Sequence, residues 1–203
     1  DTLSLHDALP ISEPGDQGQG GADNGDDSTT DEPDSGDEEG DKIGLQVFFG
    51  WESGYHGTEF LIYGLNKEWL FEHPEIKDAD VKEQYELVHA GGGIVSHAHP
   101  FREEDYIPEI RLFPDCVDAV EGINATHESP ASTSHKNILY NEKAIAYAKE
   151  HGLPITAGSD QHTTRMIGGG MLFDRKLSDE KDFCRAVLAG EAKAYWNGSE
   201  FYG

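Results

Sequence analysis

The sequence predicts an α/β fold, and three observations support this prediction. From Lys42 onward, short apolar runs alternate with segments that have the spacing of amphipathic helices. Glycine-containing turns separate several of these segments. Side chains that offer oxygen or imidazole nitrogen follow four of the apolar runs. Alternation of strands and helices favours a parallel sheet, in which the C-terminal ends of the strands gather at one rim.

The first part of this alternation contains two strands and a helix. The run IGLQVFFGWE predicts a strand that ends at Glu52. A second strand, TEFLIYGLN, follows the glycine-containing turn SGYHG. The polar segment DADVKEQYELVHAGGG then predicts a helix, and its closing glycines suit a left-handed C-terminal cap.

The second part contains three more strands and a further helix. The strands are GIVSHAHP, VDAVEGIN and LPITAGSDQH, and the helix NEKAIAYAKEHG lies between the last two. This helix places Ile145 and Ala148 on one face and ends at Gly152. The three strands end in pairs of polar side chains, which are His97 and His99, Asn124 and His127, and Asp160 and His162.

The Asp-x-His pair after the last strand has two interpretations. In an extended chain, residues i and i+2 project to the same side, so Asp160 and His162 can reach one point and bind a metal ion there. Alternatively, Asp160 caps the next helix and His162 is solvated beside it. The pair alone does not decide between them.

The other strand ends favour the metal interpretation. Carboxylates and imidazoles at Glu52, His99, His127 and Asp160 match the mixed ligand set that zinc, manganese or iron accepts. Each histidine also has a simpler interpretation, in which its ring only hydrogen-bonds to backbone at the rim. That alternative carries more weight for His97 and His127 than for His99 and His162.

The N-terminal segment, residues 1–41, differs in composition from the rest of the chain. It contains 14 of the 40 acidic residues and none of the 15 Lys and Arg residues. Its glycine, aspartate and serine content cannot bury enough apolar surface to offset the entropy of ordering it. The first twelve residues, DTLSLHDALPIS, resemble a translated adapter sequence. We therefore expect a disordered, partly artefactual segment at 1–41 and one partial α/β domain at 42–203.

Composition also restricts the partners that we expect. The formal net charge of −25 argues against binding to a nucleic-acid backbone. No run of about 18 apolar residues is present, which excludes a membrane-spanning helix within this sequence. The two cysteines, Cys116 and Cys184, form no C-x-x-C motif. The default expectation is a cytoplasmic protein that has no membrane partner.

The chain resembles the PHP family, the polymerase and histidinol phosphatase metal-dependent phosphoesterases. The matching motifs are FFGWE with FLIYGL, GGGIVSHAHPFR, VDAVEGINATH and AIAYAKEHGLPITAGSDQHT. A weaker match, DFCRAVLAGEAKAYW, corresponds to the last helix and tail of the family. The resemblance implies a distorted seven-stranded β/α barrel of the TIM-like type. It also implies a cluster of two or three divalent metal ions, Mn, Zn or Fe, at the C-terminal rim.

The resemblance assigns roles to individual residues. Glu52 matches the glutamate that bridges metal ions, and His99 matches the ligand histidine before a proline. His127 lies where a further histidine ligand often follows, although His135 competes for this role. Asp160 and His162 match the closing metal-binding pair. Together they give the predicted metal ligands Glu52, His99, His127, Asp160 and His162.

The implied reaction is hydrolysis of a phosphate ester by a metal-activated water. The substrate would be a small phosphorylated molecule, with histidinol phosphate and nucleotides both open, while a nucleic-acid partner is not expected. Arg102 and Arg165 are candidate substrate-binding residues, because a guanidinium matches the geometry of phosphate oxygens. Each has an alternative as an exposed loop arginine. The glycines at 168–170 resemble a phosphate loop but lack its lysine, and we interpret them as a turn.

One departure from the family pattern affects the prediction of activity. The family begins with a strand that carries His-x-His, and no such motif precedes Glu52. We therefore expect an N-terminally truncated domain without its first strands. A non-catalytic metal-binding or structural PHP-like module is the alternative function. An amidohydrolase-type enzyme is a weaker candidate, because no lysine lies at a suitable strand end.

Overall fold

Five strands form the main sheet of the computed structural model, which describes residues 2–3, 40–130, 132, 135–162 and 168–203. In chain order, which is also their spatial order, they are β2 (Gly50–Tyr55), β3 (Thr58–Tyr63), β4 (Ile94–His97), β5 (Ala119–Asn124) and β6 (Ile155–Gly158). The pairs β2–β3 and β3–β4 are antiparallel, and the pairs β4–β5 and β5–β6 are parallel. The predicted α/β class is therefore confirmed, with a mixed sheet in place of a fully parallel one.

The antiparallel part of the sheet originates in a tight hairpin. His56 and Gly57 join β2 to β3, and both have positive φ, at 50° and 83°. Two consecutive residues with positive φ are typical of the hairpin turns that match the twist of the flanking strands. The register that follows pairs Glu52 with Leu61 and Gly54 with Glu59.

Helices pack against both faces of this sheet, with Val88 in a cluster around Val95 and Phe183 in a cluster around Ile94. The first helices in the chain are α1 (Lys67–Glu72) and α2 (Val81–Ala90). Short 3-10 turns lie at Pro74–Lys77 and Pro114–Cys116. Asp80 begins α2 with a capping box, in which its side chain accepts from the Glu83 backbone N–H. Val81 and Val88 of α2 pack with the buried strand residues Trp51, Phe60, Ile62 and Val95.

The later helices follow the predicted pattern closely. A short α3 (Ala125–Glu128) precedes α4 (Ile138–His151), which ends at Gly152 with a left-handed φ of 67°. The sequence predicted the end of this helix at Gly152, and the prediction is confirmed. From α4, Ala144, Tyr147 and Ala148 pack against Val120 of β5.

A second, antiparallel sheet lies next to the end of β6. Its spatial order is β1 (Thr2–Leu3), β7 (Gly170–Leu172), β8 (Ala194–Trp196) and β9 (Phe201–Tyr202). Helix α5 (Glu180–Leu188) packs Phe183 into a core cluster with Ile94, Ile123 and Met171. None of the helices in the described ranges has the length and hydropathy that a bilayer crossing requires.

The contact between the two sheets explains the glycines at 168–170. The Ser159 side chain accepts hydrogen bonds from the backbone N–H groups of Gly169, at 2.9 Å, and Gly168, at 3.3 Å. A Cβ placed on Gly169 would lie 1.7 Å from the Gly158 carbonyl oxygen. Only glycine allows such a close approach of two backbones. Gly168 and Gly169 lie in the connection between β6 and β7, in accord with our interpretation of a turn. Gly170 begins β7.

The seven-stranded barrel that the family resemblance implies is not confirmed. Within the described residues, β2 and β6 are the two edges of an open five-stranded sheet, and no strand pairing closes it. The physical reason is the hairpin, because antiparallel β2–β3–β4 pairing replaces the strand–helix–strand units of a barrel. Apart from Thr2–Leu3 and its last two residues, the segment 1–41 lies outside the described residues, and its predicted disorder stays a prediction.

Candidate metal centre

The β2–β3 hairpin places two glutamates on one face. Glu52 is opposite Leu61, and Glu59 is two residues before Leu61, so the side chains of Glu52 and Glu59 are diagonal neighbours. His99 joins them from the end of β4. One ligand atom from each of Glu52, Glu59 and His99 lies within 4.8 Å of the others. We name these three residues the carboxylate–histidine cluster.

A left-handed backbone turn brings His99 into this cluster. Strand β4 ends at His97, and His99 has a positive φ of 24°. Its backbone N–H donates to Glu121 Oε2 at 2.9 Å, and its ring Nε2 lies 3.3 Å from Glu59 Oε2. A non-glycine residue rarely adopts this backbone conformation without support from its surroundings, and Glu121 provides that support.

His97 lies outside the cluster, as the sequence analysis favoured. Its ring is fully buried and stacks on Phe60, with ring centroids 5.1 Å apart. Neither ring nitrogen has a hydrogen-bond partner among the described residues. Burial lowers the pKa of His97 to about 3, so the ring is neutral. His97 therefore belongs to the apolar layer between sheet and helices.

The two glutamates of the cluster hold their protons unusually strongly. Burial, and after it the negative charges of Glu59, Asp160 and Glu121, raise the pKa of Glu52 to about 8. Burial also raises the pKa of Glu59, although Arg102 and a hydrogen bond from Glu52 oppose the shift. Burial likewise lowers the pKa of His99 well below its usual value.

These shifts describe a site in which buried negative charge exceeds the positive charge that Arg102 supplies. Two close carboxylates and a neutral imidazole are ligands that a divalent cation accepts, and the cation would replace the protons that the carboxylates otherwise keep. The residues of the cluster therefore fit a divalent metal ion.

Glu121 is a second buried acid close to the cluster. It lies in the middle of β5, and its Oε2 accepts from the His99 backbone and from the Asn124 side-chain amide at 3.1 Å. Burial, followed by the charge of Asp160, raises the pKa of Glu121 to about 7. Asn124 also donates to Asp160 Oδ2 at 3.1 Å, so one amide connects two carboxylates.

Asp160 and His127 are held by an arginine. Arg102 is only 3% exposed, and its Nη2 donates to Asp160 Oδ2 and, at 3.3 Å, to Thr126 Oγ1. Its Nε donates to His127 Nε2 at 3.3 Å. We name Arg102, Thr126, His127 and Asp160 the arginine cluster. Arg102, predicted from the sequence as a substrate ligand, thus contacts two of the predicted metal ligands.

The arginine determines the charge states within its cluster. Burial alone would raise the pKa of Asp160, but the ion pair with Arg102 and the nearby His99 outweigh it and hold the pKa well below its usual range. Burial, and after it the charge of Arg102, lowers the pKa of His127 to about 4. The cluster therefore contains an ionised Asp160, a charged Arg102 and a neutral His127.

His162 lies at the exposed side of the site. Its side chain is 69% exposed, and Nδ1 lies 3.4 Å from Asp160 Oδ1 and 3.1 Å from the Asp160 carbonyl oxygen. Strand β6 ends at Gly158, and Asp160 has a positive φ of 47°. The Asp-x-His pair is thus not in extended chain, which differs from the geometry we expected. Arg165 lies outside the described residues.

The structure separates the predicted ligands into two neighbouring groups. Glu52 and His99 lie in the carboxylate–histidine cluster, His127 and Asp160 lie in the arginine cluster, and His162 is at the edge. His135, the competitor of His127, instead pairs with Glu104. The sequence analysis missed Glu59, although its alternation with Leu61 along β3 was a usable signal.

Comparisons of sequence and of structure relate this chain to known proteins. Residues 139–192 match the model of a family described as PHP-associated. No curated protein matched the sequence. A two-domain protein from Bacteroides vulgatus, which contains a predicted PHP-like metal-dependent phosphoesterase, has a similar fold with a TM-score of 0.60 and 16% identity. The match covers 87% of this chain and 53% of that one, so the chain spans about half of its length.

A second solved structure is more distant. It is a protein from Bifidobacterium adolescentis that is proposed to be a metal-dependent phosphoesterase, with a TM-score of 0.43 and 14% identity. The match covers 77% of this chain and 80% of that one. The family match at 139–192, from α4 past α5, and the fold shared with the PHP-like protein agree with the motifs in the sequence. The resemblance to the PHP family is thus confirmed, and the chain carries a PHP-associated segment on a PHP-like fold.

Proposed function

We propose that the chain provides the metal-binding site of a metal-dependent phosphoesterase that hydrolyses a phosphate ester. The observation that supports this most directly is the convergence of Glu52, Glu59 and His99 on one metal-sized point. Mn, Zn and Fe all accept this ligand set. When bound, a divalent cation would supply a Lewis acid that lowers the pKa of a water molecule toward neutrality.

The protein side chains would contribute binding and proton transfer. Arg102 is charged and buried beside the carboxylate–histidine cluster, so we propose that its guanidinium faces the substrate phosphoryl group. Glu121, whose pKa is raised to about 7 by burial and Asp160, can accept or release a proton near neutral pH. Arg165 stays a candidate substrate ligand on the basis of its charge.

The substrate is proposed as a small phosphomonoester. A cleft of about 370 Å³ beside His127 is lined by Lys136, Asn137 and Ser199 and also by the carboxylates Glu128 and Glu200, so its size suits a small molecule and only Lys136 among these residues would attract a phosphate. Histidinol phosphate and nucleotides both stay candidate substrates.

A non-catalytic metal-binding module is the second candidate. One observation favours it, because Arg102 already engages His127 Nε2 and Asp160 Oδ2, two atoms that a metal would otherwise bind. Catalysis by the phosphoesterases of this kind generally involves more than one cation. In this alternative the carboxylate–histidine cluster binds metal and no hydrolysis follows.

Metal-dependent hydrolysis of p-nitrophenyl phosphate tests the proposal. We expect the chain to show slow hydrolysis that requires added Mn²⁺ or Zn²⁺ and that falls at least tenfold in Glu59→Gln, since the variant lacks one anionic ligand. Glu150→Gln, an exposed change on α4, is the matched control and should retain the full rate. Hydrolysis that is independent of metal, or equal in Glu59→Gln, contradicts the proposal. Metal binding without any hydrolysis supports the non-catalytic alternative.

A further inference from the structure

We propose that the guanidinium of Arg102 takes the place of a second metal ion, so that the chain binds a single divalent cation. This inference rests on the proposed metal site at Glu52, Glu59 and His99 and deepens it. It states how many cations the chain binds and which side chain replaces the second one.

The contacts of His127 leave no nitrogen free for a metal. Its Nδ1 lies 2.7 Å from Asn141 Oδ1, an atom that can only accept, so Nδ1 carries the proton. The orientation of Asn141 is fixed in turn, because its Nδ2 donates to the Asn124 carbonyl at 3.1 Å and to Glu128 Oε1 at 2.6 Å. The remaining His127 nitrogen, Nε2, accepts from Arg102 Nε.

Asp160 is engaged in the same way. Its Oδ2 accepts from Arg102 Nη2 and from the Asn124 amide, and its Oδ1 lies 3.4 Å from His162 Nδ1. The guanidinium therefore contacts one carboxylate and one imidazole, which are the two ligand types that a metal ion would bind. Unlike a metal ion, the guanidinium is permanently attached to the chain.

Charge supports a single additional cation. Arg102 pairs with Asp160, and its charge only partly offsets those of the Glu52 and Glu59 carboxylates. One divalent ion at the carboxylate–histidine cluster would balance these two charges. A further ion near His127 would be repelled by the buried guanidinium, since like charges interact strongly where water is excluded.

Metal stoichiometry tests the inference with Mn²⁺ alone as the probe. Equilibrium dialysis with elemental analysis should give one Mn²⁺ per wild-type chain. Arg102→Gln frees His127 and Asp160, so it should bind two, and Arg102→Gln combined with His127→Gln should bind one again. Arg185→Gln is the matched control, because Arg185 is an exposed arginine of α5 whose side chain pairs with Asp182. Two ions in the wild type, or one in folded Arg102→Gln, overturns the inference.

A second measurement on the wild type does not depend on the variant folding. On titration with one equivalent of Zn²⁺, the NMR signals of the His99 ring should shift, while those of His127 keep the Nδ1-protonated form. A Zn²⁺-induced shift of His127 Nε2 overturns the inference.

The same experiments separate this inference from the proposed function. If Glu59→Gln retains its Mn²⁺, the proposed site is wrong and the inference fails with it. If the wild type binds one ion and Arg102→Gln binds two, but neither hydrolyses a phosphate ester, the inference stands and the phosphoesterase proposal fails.

Discussion

Replacing Glu52 by Gln tests the electrostatics of the carboxylate–histidine cluster in the absence of metal. Burial, and after it the neighbouring carboxylates, raise the pKa of Glu52 from 4.5 to about 8 in the folded chain. Between these two values, the folded chain binds more protons at this site than the unfolded chain. The free energy of unfolding therefore falls as pH rises through this range. The loss continues until pH exceeds the folded pKa, above which both states are ionised.

The expected size of this effect follows from the pKa shift. A full proton difference changes the free energy of unfolding by about 1.4 kcal/mol per pH unit. Because the folded carboxyl begins to ionise near pH 8, its contribution should fall by about 2 kcal/mol between pH 6 and pH 8. Gln cannot ionise, so the stability of Glu52→Gln relative to the wild type should rise by the same amount over this interval.

Urea unfolding in EDTA at pH 6, 7 and 8 measures this difference. The buried histidines, whose pKa values are lowered by burial, also make stability depend on pH, but they contribute alike to both proteins and cancel in the comparison. Glu150→Gln, at an exposed position, should follow the wild type at every pH. A difference between Glu52→Gln and the wild type that does not change with pH would refute the assigned environment of Glu52. Adding Mn²⁺ at pH 8 should then stabilise the wild type and leave Glu52→Gln nearly unchanged.

Two further predictions concern the residues that support the site. Asn141→Leu removes the acceptor for His127 Nδ1 and the donor to Glu128, so it leaves buried polar groups unpaired. It should lower the free energy of unfolding, measured in urea, by about 2–4 kcal/mol. A decrease below about 0.5 kcal/mol would contradict the hydrogen-bonded network. Gly169→Ala places a Cβ 1.7 Å from the Gly158 carbonyl oxygen and should lower the melting temperature by several degrees. Gly54→Ala, where no atom lies within 4 Å of the added Cβ, is its control, and equal melting temperatures for the two variants would show that the sheets do not approach this closely.

Local sequence patterns were sufficient to predict the positions of the main strands and helices. Apolar runs located β4, β5 and β6, and the terminal glycine located the end of α4 at Gly152. The same signals did not specify which strands are antiparallel. Strand direction depends on the connection, and the turn at His56 and Gly57 was recognised only as a turn. A hairpin there was sufficient to change the expected parallel sheet into a mixed one.

The sequence located the candidate ligands at strand ends but not their partners. Arg102 was considered as a substrate ligand, and its contacts with His127 and Asp160 depend on tertiary structure that no spacing reveals. The backbone at His99 and Asp160 has positive φ in both cases, which is uncommon for non-glycine residues and not encoded by a local motif. These two turns direct the side chains to their clusters.

Glu121 shows how the two clusters depend on each other. It is a charged residue within an otherwise apolar strand, a pattern that the sequence displays and that usually requires a buried partner. Its carboxylate fixes the backbone turn at His99, and the Asn124 amide links it to Asp160, which is paired with Arg102. A hydrogen-bonded path therefore runs from His99 to Arg102. Because buried polar networks are stable only when every member is satisfied, the geometry of the carboxylate–histidine cluster and the position of Arg102 are set together.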